Sequence, residues 1–117
     1  MKLPIELEQA ILDKDFAINY DKNSEYIEFE YYSPAGQKFI IPMEFNGDLK
    51  KLSDDIYDYY NCYDVNEAAY LWLDNTGHGK NGAPLDMRDV IADMEECEDA
   101  IYQLFLIVDE YCQKISE

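Results

Sequence analysis

Histidine and positive charge are the scarcest features of this chain. His78 is the only histidine among 117 residues, and it lies in the glycine-rich stretch 76–82, which reads as an exposed loop. A single histidine excludes a multi-histidine metal site, and its place in an exposed loop argues against a histidine-based catalytic triad. Nine Lys and Arg face 26 Asp and Glu, which gives a formal net charge of −17. Direct binding of nucleic acid or anionic lipid is therefore not expected, because both require a basic patch.

Paired cysteines and long apolar runs are also missing. The three cysteines, Cys62, Cys97 and Cys112, are odd in number and form no CxxC motif. The latter two fall on a helical apolar face, where reduced cysteine packs as a small hydrophobe. The longest strongly apolar stretch, residues 101–108, is far shorter than the roughly 20 residues that span a bilayer. Residues 1–8 lack the apolar run of a signal peptide. We expect a cytoplasmic protein with no membrane association.

Hydrophobic residues make up 48% of the chain, which is enough for one core, and we predict a single acidic α+β domain over residues 1–117. An N-terminal helix is predicted from about Pro4 to Lys14. Alternating patterns predict strands at residues 16–20, 25–32 and 38–45, which form a three-stranded antiparallel sheet. Pro42 cannot donate to a ladder, so the third strand is predicted at an edge.

The second half of the sequence is predicted to be helical, with two or three helices packed on the sheet. Asp48 caps the first of these helices. Asp64 followed by Glu67 resembles a capping box that opens a short helix through Leu73. A long C-terminal helix runs from Asp86 or nearby to Ile115. Its apolar face is predicted to comprise Met87, Val90, Met94, Cys97, Ile101, Leu104, Phe105, Val108, Cys112 and Ile115.

No pattern in the sequence indicates catalysis, a cofactor or a metal. The loop at residues 75–84 lacks the Gly-Lys-Ser/Thr of a phosphate-binding loop and the terminal glutamate of a calcium loop. Acidic pairs are frequent, but no spacing singles out a converging set. We therefore expect a protein that is not an enzyme. One alternative stays open, an enzyme or ligand-binding protein that uses the Gly77–Pro84 loop with Lys80 and Arg88.

Carboxylates without interspersed lysines are the most informative feature. Residues 86–117 contain ten acids against Arg88 and Lys114, a net charge of −8. Acids at helical spacing lie about 5–6 Å apart, and B-DNA carries roughly one phosphate per 3.4 Å on each strand, so the charge densities are comparable. The predicted partner-binding residues are Asp54, Asp55, Asp58, Asp64, Glu67, Asp89, Asp93, Glu95, Glu96 and Asp99. The eleven tyrosines add little, because most fall on core patterns.

The second half also resembles a known family. Residues 63–72 read aromatic-Asp-x-x-Glu-x-Ala-x-x-Trp and are followed by a Gly/Pro loop, Arg88 and a long acidic helix. This arrangement, over roughly residues 45–112, resembles a family of small acidic proteins from phages and mobile elements. The resemblance assigns no functional residue. It implies a setting in which such proteins block host defence, some of them by resembling DNA.

These observations favour a non-catalytic inhibitor that docks an acidic, DNA-mimicking surface into the basic channel of a host nuclease. Such an anti-defence protein, anti-CRISPR-like in type, would act as a monomer or homodimer on a basic protein partner. The alternative is an interaction or regulatory module whose charge serves mainly solubility. In that case the edge strand at residues 38–45 would make the contact.

Overall fold

The computed structural model describes residues 2–33, 38–69 and 87–115, and it confirms the α+β fold. Its elements are α1 (Ile5–Leu12), β1 (Ala17–Tyr20), β2 (Tyr26–Tyr32), β3 (Lys38–Glu44), α2 (Leu49–Cys62) and α3 (Met87–Ile115). Residues 65–69 are also helical. The turn predicted at residues 33–36 and the loop predicted at residues 75–84 lie wholly or largely outside the described residues.

The three strands form one antiparallel sheet in the order β1-β2-β3. Strand alternation buries Ile27 and Phe29 of β2 together with Ile41 and Met43 of β3, and it leaves the opposite face exposed. Pro42 is opposite Glu28 on the exposed face. Because β3 has a strand neighbour on one side only, the predicted edge position is confirmed.

Side-chain caps set the start of two helical segments as predicted. The Asp48 carboxylate accepts a hydrogen bond from the backbone N–H of Lys51 at 3.1 Å. The Asp64 carboxylate accepts from the N–H groups of Asn66 and Glu67 at 2.9 and 3.1 Å. Each cap satisfies N–H groups that have no partner within their own helix.

The first helix is shorter than the sequence predicts. Pro4 stands at its N-cap and the helix ends at Leu12. Asp15 then takes a left-handed backbone conformation with φ 69°. Aspartate tolerates this conformation better than most residues, and it leads the chain from the turn at residues 13–15 into β1.

The core lies between the inner face of the sheet and the helices. Within the described ranges it comprises sixteen buried side chains, namely Leu3, Leu7, Ile11, Phe16, Ile27, Phe29, Ile41, Met43, Phe45, Leu52, Ile56, Ala100, Ile101, Leu104, Val108 and Cys112. A smaller cluster joins Ala69 to Val90 and Met94, and Phe39 packs against it. The segment at residues 65–69 is thus held against the first half of α3.

Two residues of α3 differ from the predicted pattern. Ile115 is exposed, because α3 runs antiparallel to α2 and Cys112 already lies beside Asp48 and Lys50 at the start of α2. Asp93 is buried, because it lies within one helical turn of both Val90 and Cys97 on the packed face. No helix among the described residues is long and apolar enough to cross a membrane.

A candidate interaction surface on the helices

The predicted binding acids divide by exposure. Eight of the ten are exposed, and Asp55 is half-exposed. Asp93 is the exception, since only 4% of it is accessible. Its carboxylate does not lie on the solvent-facing surface of the protein, so the exposure expected for this residue is not observed.

Two of these acids are already paired with lysines of the same helix. The Lys50 ammonium lies 3.0 Å from the Asp54 carboxylate, and the Lys51 ammonium lies 2.7 Å from that of Asp55. Both are exposed i,i+4 pairs, which contribute little to stability. The charges of Glu44 and Asp48 also act on Lys51, so Asp55 faces the β3 side of α2 and is separated from the α3 acids.

The outward side of α3 carries unbalanced negative charge. Glu95, Glu96 and Asp99, here called the α3 acidic face, are exposed and share adjoining turns. None of the three has a Lys or Arg partner among the described residues. Asp89 is exposed further towards the start of the helix.

The α3 acidic face extends towards the sheet. Burial raises the pKa of Tyr31, and the negative charges of Glu96, Asp15 and Asp99 raise it further. A tyrosinate would therefore form beside existing carboxylates, which disfavours it. Asp15, in the turn after α1, thus acts on the same tyrosine as the acids of α3.

Four aromatic side chains line the contact between α2 and α3. The ring centroids of Tyr57 and Phe105 are 4.9 Å apart, and those of Tyr60 and Tyr102 are 5.0 Å apart. The ring centroids are 6.4 Å apart between Tyr57 and Tyr60 on α2, and 5.9 Å apart between Tyr102 and Phe105 on α3. This aromatic seam is only half-buried, and Tyr57 is 42% exposed.

Carboxylates border the aromatic seam. Asp54, Asp58 and Asp109 share a shallow groove with Lys50, Tyr57 and Phe105. The pKa of Lys50 is raised, first by its hydrogen bond to Asp54 and then by the charges of Asp54 and Asp109. The groove therefore stabilises a cation.

Sequence reasoning missed most of this seam. Tyr102, Phe105 and Asp109 are not in the predicted site. Phe105 is predicted on the apolar face of the long helix, and the tyrosines are given little weight because most fall on core patterns. A signal existed, because Tyr57 and Tyr60 are three residues apart on α2 and Tyr102 and Phe105 are three residues apart on α3. Residues three apart share a helix face.

Asp64 and Glu67 belong to a separate cleft at the end of α2. They line it together with Tyr59, Cys62, Tyr63 and Ala68. The Tyr63 hydroxyl donates a hydrogen bond to the Met94 sulfur at 3.6 Å. Burial raises the pKa of Tyr63. Seven of the ten predicted acids are thus distributed over the groove beside α2, this cleft and the α3 acidic face, whereas Asp55, Asp89 and Asp93 lie elsewhere.

The described residues include no group of three or more His, Cys, Asp or Glu side chains placed to hold a metal ion. His78 and Lys80 lie outside the described residues. Arg88 is exposed at the start of α3 and has an interaction partner. Comparisons with protein-family models, with curated proteins and with solved structures find no match.

Proposed function

We propose that this chain is an anti-defence protein of a phage or mobile element, anti-CRISPR-like in type. It acts without catalysis in the host cytosol, inhibiting a nuclease by placing acidic side chains of α3 in the enzyme's basic nucleic-acid channel. One observation carries the proposal. Between Arg88 and Lys114, α3 has seven carboxylates besides the buried Asp93, and no basic residue.

The helix makes this charge rigid as well as dense. Asp99 lies four residues after Glu95 and three after Glu96, so its Cβ atom is held about 5–6 Å from the Cβ atom of each. A cationic groove that binds phosphates at comparable spacing would meet fixed negative charge without having to order a flexible chain.

A second candidate function is an interaction module whose charge serves mainly solubility. The outer face of the sheet favours it, because Tyr26, Tyr32 and Ile40 are 55%, 60% and 41% exposed. A contact built on these side chains would be insensitive to salt. A contact built on α3 would weaken as salt rises, because screening acts on exposed charges.

The test combines charge reversal with a control of equal charge. One triple variant, the α3 variant, combines Glu95→Lys, Glu96→Lys and Asp99→Lys. The other, the sheet variant, combines Glu25→Lys, Glu28→Lys and Glu44→Lys in the sheet region. Each reversal changes the charge by two, so both triple variants carry −11 in place of −17. Wild type and variants are expressed in strains where a CRISPR nuclease, or separately a restriction enzyme, restricts a phage.

Wild type is expected to raise phage plating in at least one strain by orders of magnitude. The α3 variant is expected to lose this effect, and the sheet variant to keep it. Binding to the purified nuclease should weaken at least tenfold between 50 and 200 mM salt. The proposal would be contradicted if wild type protects the phage in none of the strains, or if a folded α3 variant protects it fully.

A further inference from the structure

The aromatic seam combines solvent-exposed aromatic rings with carboxylates that border them. Tyr57, Tyr60, Tyr102 and Phe105 leave aromatic surface in contact with solvent, although every ring touches another ring of the set. Carboxylates stand directly beside this apolar surface, in the groove that Tyr57 and Phe105 line. Hot spots of protein–protein interfaces commonly have aromatic surface at the centre and charged groups at the rim.

Charge complementarity identifies what would occupy the groove. Lys50 is the only cation lining it within the described part of the chain, and it is held by Asp54 at 3.0 Å. Asp58 has no Lys or Arg partner among the described residues. Asp109 accepts a hydrogen bond from the Gln113 amide at 2.9 Å and keeps further acceptor capacity. An incoming cation would therefore find acceptors that Lys50 does not use.

Arginine fits this combination better than lysine does. A guanidinium is planar and weakly hydrated, so it stacks on tyrosine or phenylalanine rings while its N–H groups bind carboxylates at its edge. A lysine ammonium is a compact, strongly hydrated charge that makes poorer use of a flat aromatic surface.

We propose that the aromatic seam and its bordering acids form a docking site for an arginine side chain of a basic protein partner. The identity of that partner as a nuclease rests on the function proposed above, whereas the preference of the site for arginine does not. The two can therefore fail separately.

The experiment uses nona-arginine and nona-lysine peptides, which carry the same charge, as probes of the full-length protein. Affinity is measured at 150 mM salt, and the binding surface is mapped from amide chemical shifts. Tyr57→Leu keeps apolar cover over Phe105 and removes the aromatic ring. Tyr57→Phe keeps the ring, and Tyr26→Leu makes the matched change on the exposed face of the sheet.

Wild type is expected to bind the arginine peptide about three- to tenfold more tightly than the lysine peptide. Tyr57→Leu should remove this preference with little change in lysine-peptide affinity, while Tyr57→Phe and Tyr26→Leu keep it. Shift changes should centre on α2 and the second half of α3. Equal affinity for the two peptides, or shifts confined to other surfaces, would overturn the proposal. If the protein prefers arginine but protects no phage, the arginine site remains supported and the proposal that its partner is a nuclease is contradicted.

Discussion

Ser53 is a small polar side chain in an apolar position of α2. It is 1% exposed, and its hydroxyl has no hydrogen-bond partner among the described residues. A buried hydroxyl without a partner loses its bonds to water and gains none in exchange, which costs about 1–3 kcal/mol. Serine also has a lower helix propensity than alanine, by about 0.5 kcal/mol.

Ser53→Ala is therefore expected to raise the free energy of unfolding by about 1 kcal/mol, measured by urea denaturation. Asn61→Ala, at an exposed position of the same helix, gains helix propensity alone and should stabilise by a smaller amount. A Ser53→Ala protein less stable than wild type would show that the hydroxyl makes a stabilising bond.

The three thiols differ in exposure and therefore in reactivity. Cys62 is exposed, whereas Cys97 and Cys112 are buried. Burial raises the pKa of the Cys97 thiol, and the charges of Asp93 and Glu96 raise it further. Burial also raises the pKa of Cys112. Because the thiolate is the nucleophile, both buried groups should be unreactive near pH 8.

Titration of the native protein with a chromogenic disulfide reagent should release one thiol equivalent quickly, and the other two only on unfolding. Cys62→Ser should remove the fast phase and leave the slow one unchanged. Rapid reaction of the Cys62→Ser variant would mean that α3 opens from the core far more readily than its burial indicates.

At the scale of elements, one side chain of β1 fastens the N-terminal helix to the sheet. The Tyr20 hydroxyl donates to the Glu8 carboxylate of α1 and accepts from the backbone N–H of Leu3 at 3.2 Å. Desolvation and the bond to Glu8 raise the pKa of Tyr20 to about 12. Leu3 and Leu7 are buried beside this link, so it sets the position of α1 on the core.

Tyr20→Phe is expected to lower the free energy of unfolding by about 1–2 kcal/mol at pH 7, because it leaves the N–H of Leu3 and the carboxylate of Glu8 without this partner. Tyr26→Phe, at an exposed position on β2, should change it by less than about 0.5 kcal/mol.

The same link has a defined pH dependence. An unfolded tyrosine loses its proton near pH 10, whereas folded Tyr20 holds it to about pH 12. Its contribution is therefore complete below pH 10 and is lost as pH rises from 10 to 12. Between pH 8 and 11 wild type should lose more stability in urea than Tyr20→Phe does. An equal loss would show that other tyrosines account for alkaline unfolding.

The six elements were predictable because their signals are local. Alternation of Ile27 and Phe29, and the caps at Asp48 and Asp64, depend on neighbours within a few residues. The pairing of Tyr57 with Phe105 depends instead on which faces of α2 and α3 meet, and sequence periodicity does not specify this. Asp93 was misplaced for the same reason, because a carboxylate at the margin of an apolar stripe reads as exposed until its neighbours are known.

At the scale of the whole molecule, negative charge is concentrated on the helical half. Residues 48–69 and 87–115 contain fourteen acids and four basic residues, whereas residues 2–33 and 38–47 contain nine acids and four basic residues. Three ion pairs lie within the described residues, and only one of their groups, the Glu30 side chain at 15% exposure, is mostly buried. Most carboxylates of α2 and α3 therefore repel one another through solvent, which opposes folding.

Added salt is accordingly expected to stabilise this protein. The Debye length falls from about 30 Å at 0.01 M to about 10 Å at 0.1 M, and the molecule is 47 Å in its longest dimension. At low salt most of its carboxylates therefore interact, and at moderate salt only near neighbours do. We expect the melting temperature to rise by several degrees between 10 and 200 mM sodium chloride, measured by calorimetry.

Tetramethylammonium chloride should act equally at the same ionic strength, because screening requires no bound ion. The triple variants with charge −11 should respond less than wild type, and the α3 variant least, since it removes repulsion where the acids are densest. A melting temperature that falls or stays level with salt would mean that ion pairs outweigh repulsion in the folded state, and that the acidic surface is balanced by contacts within the chain.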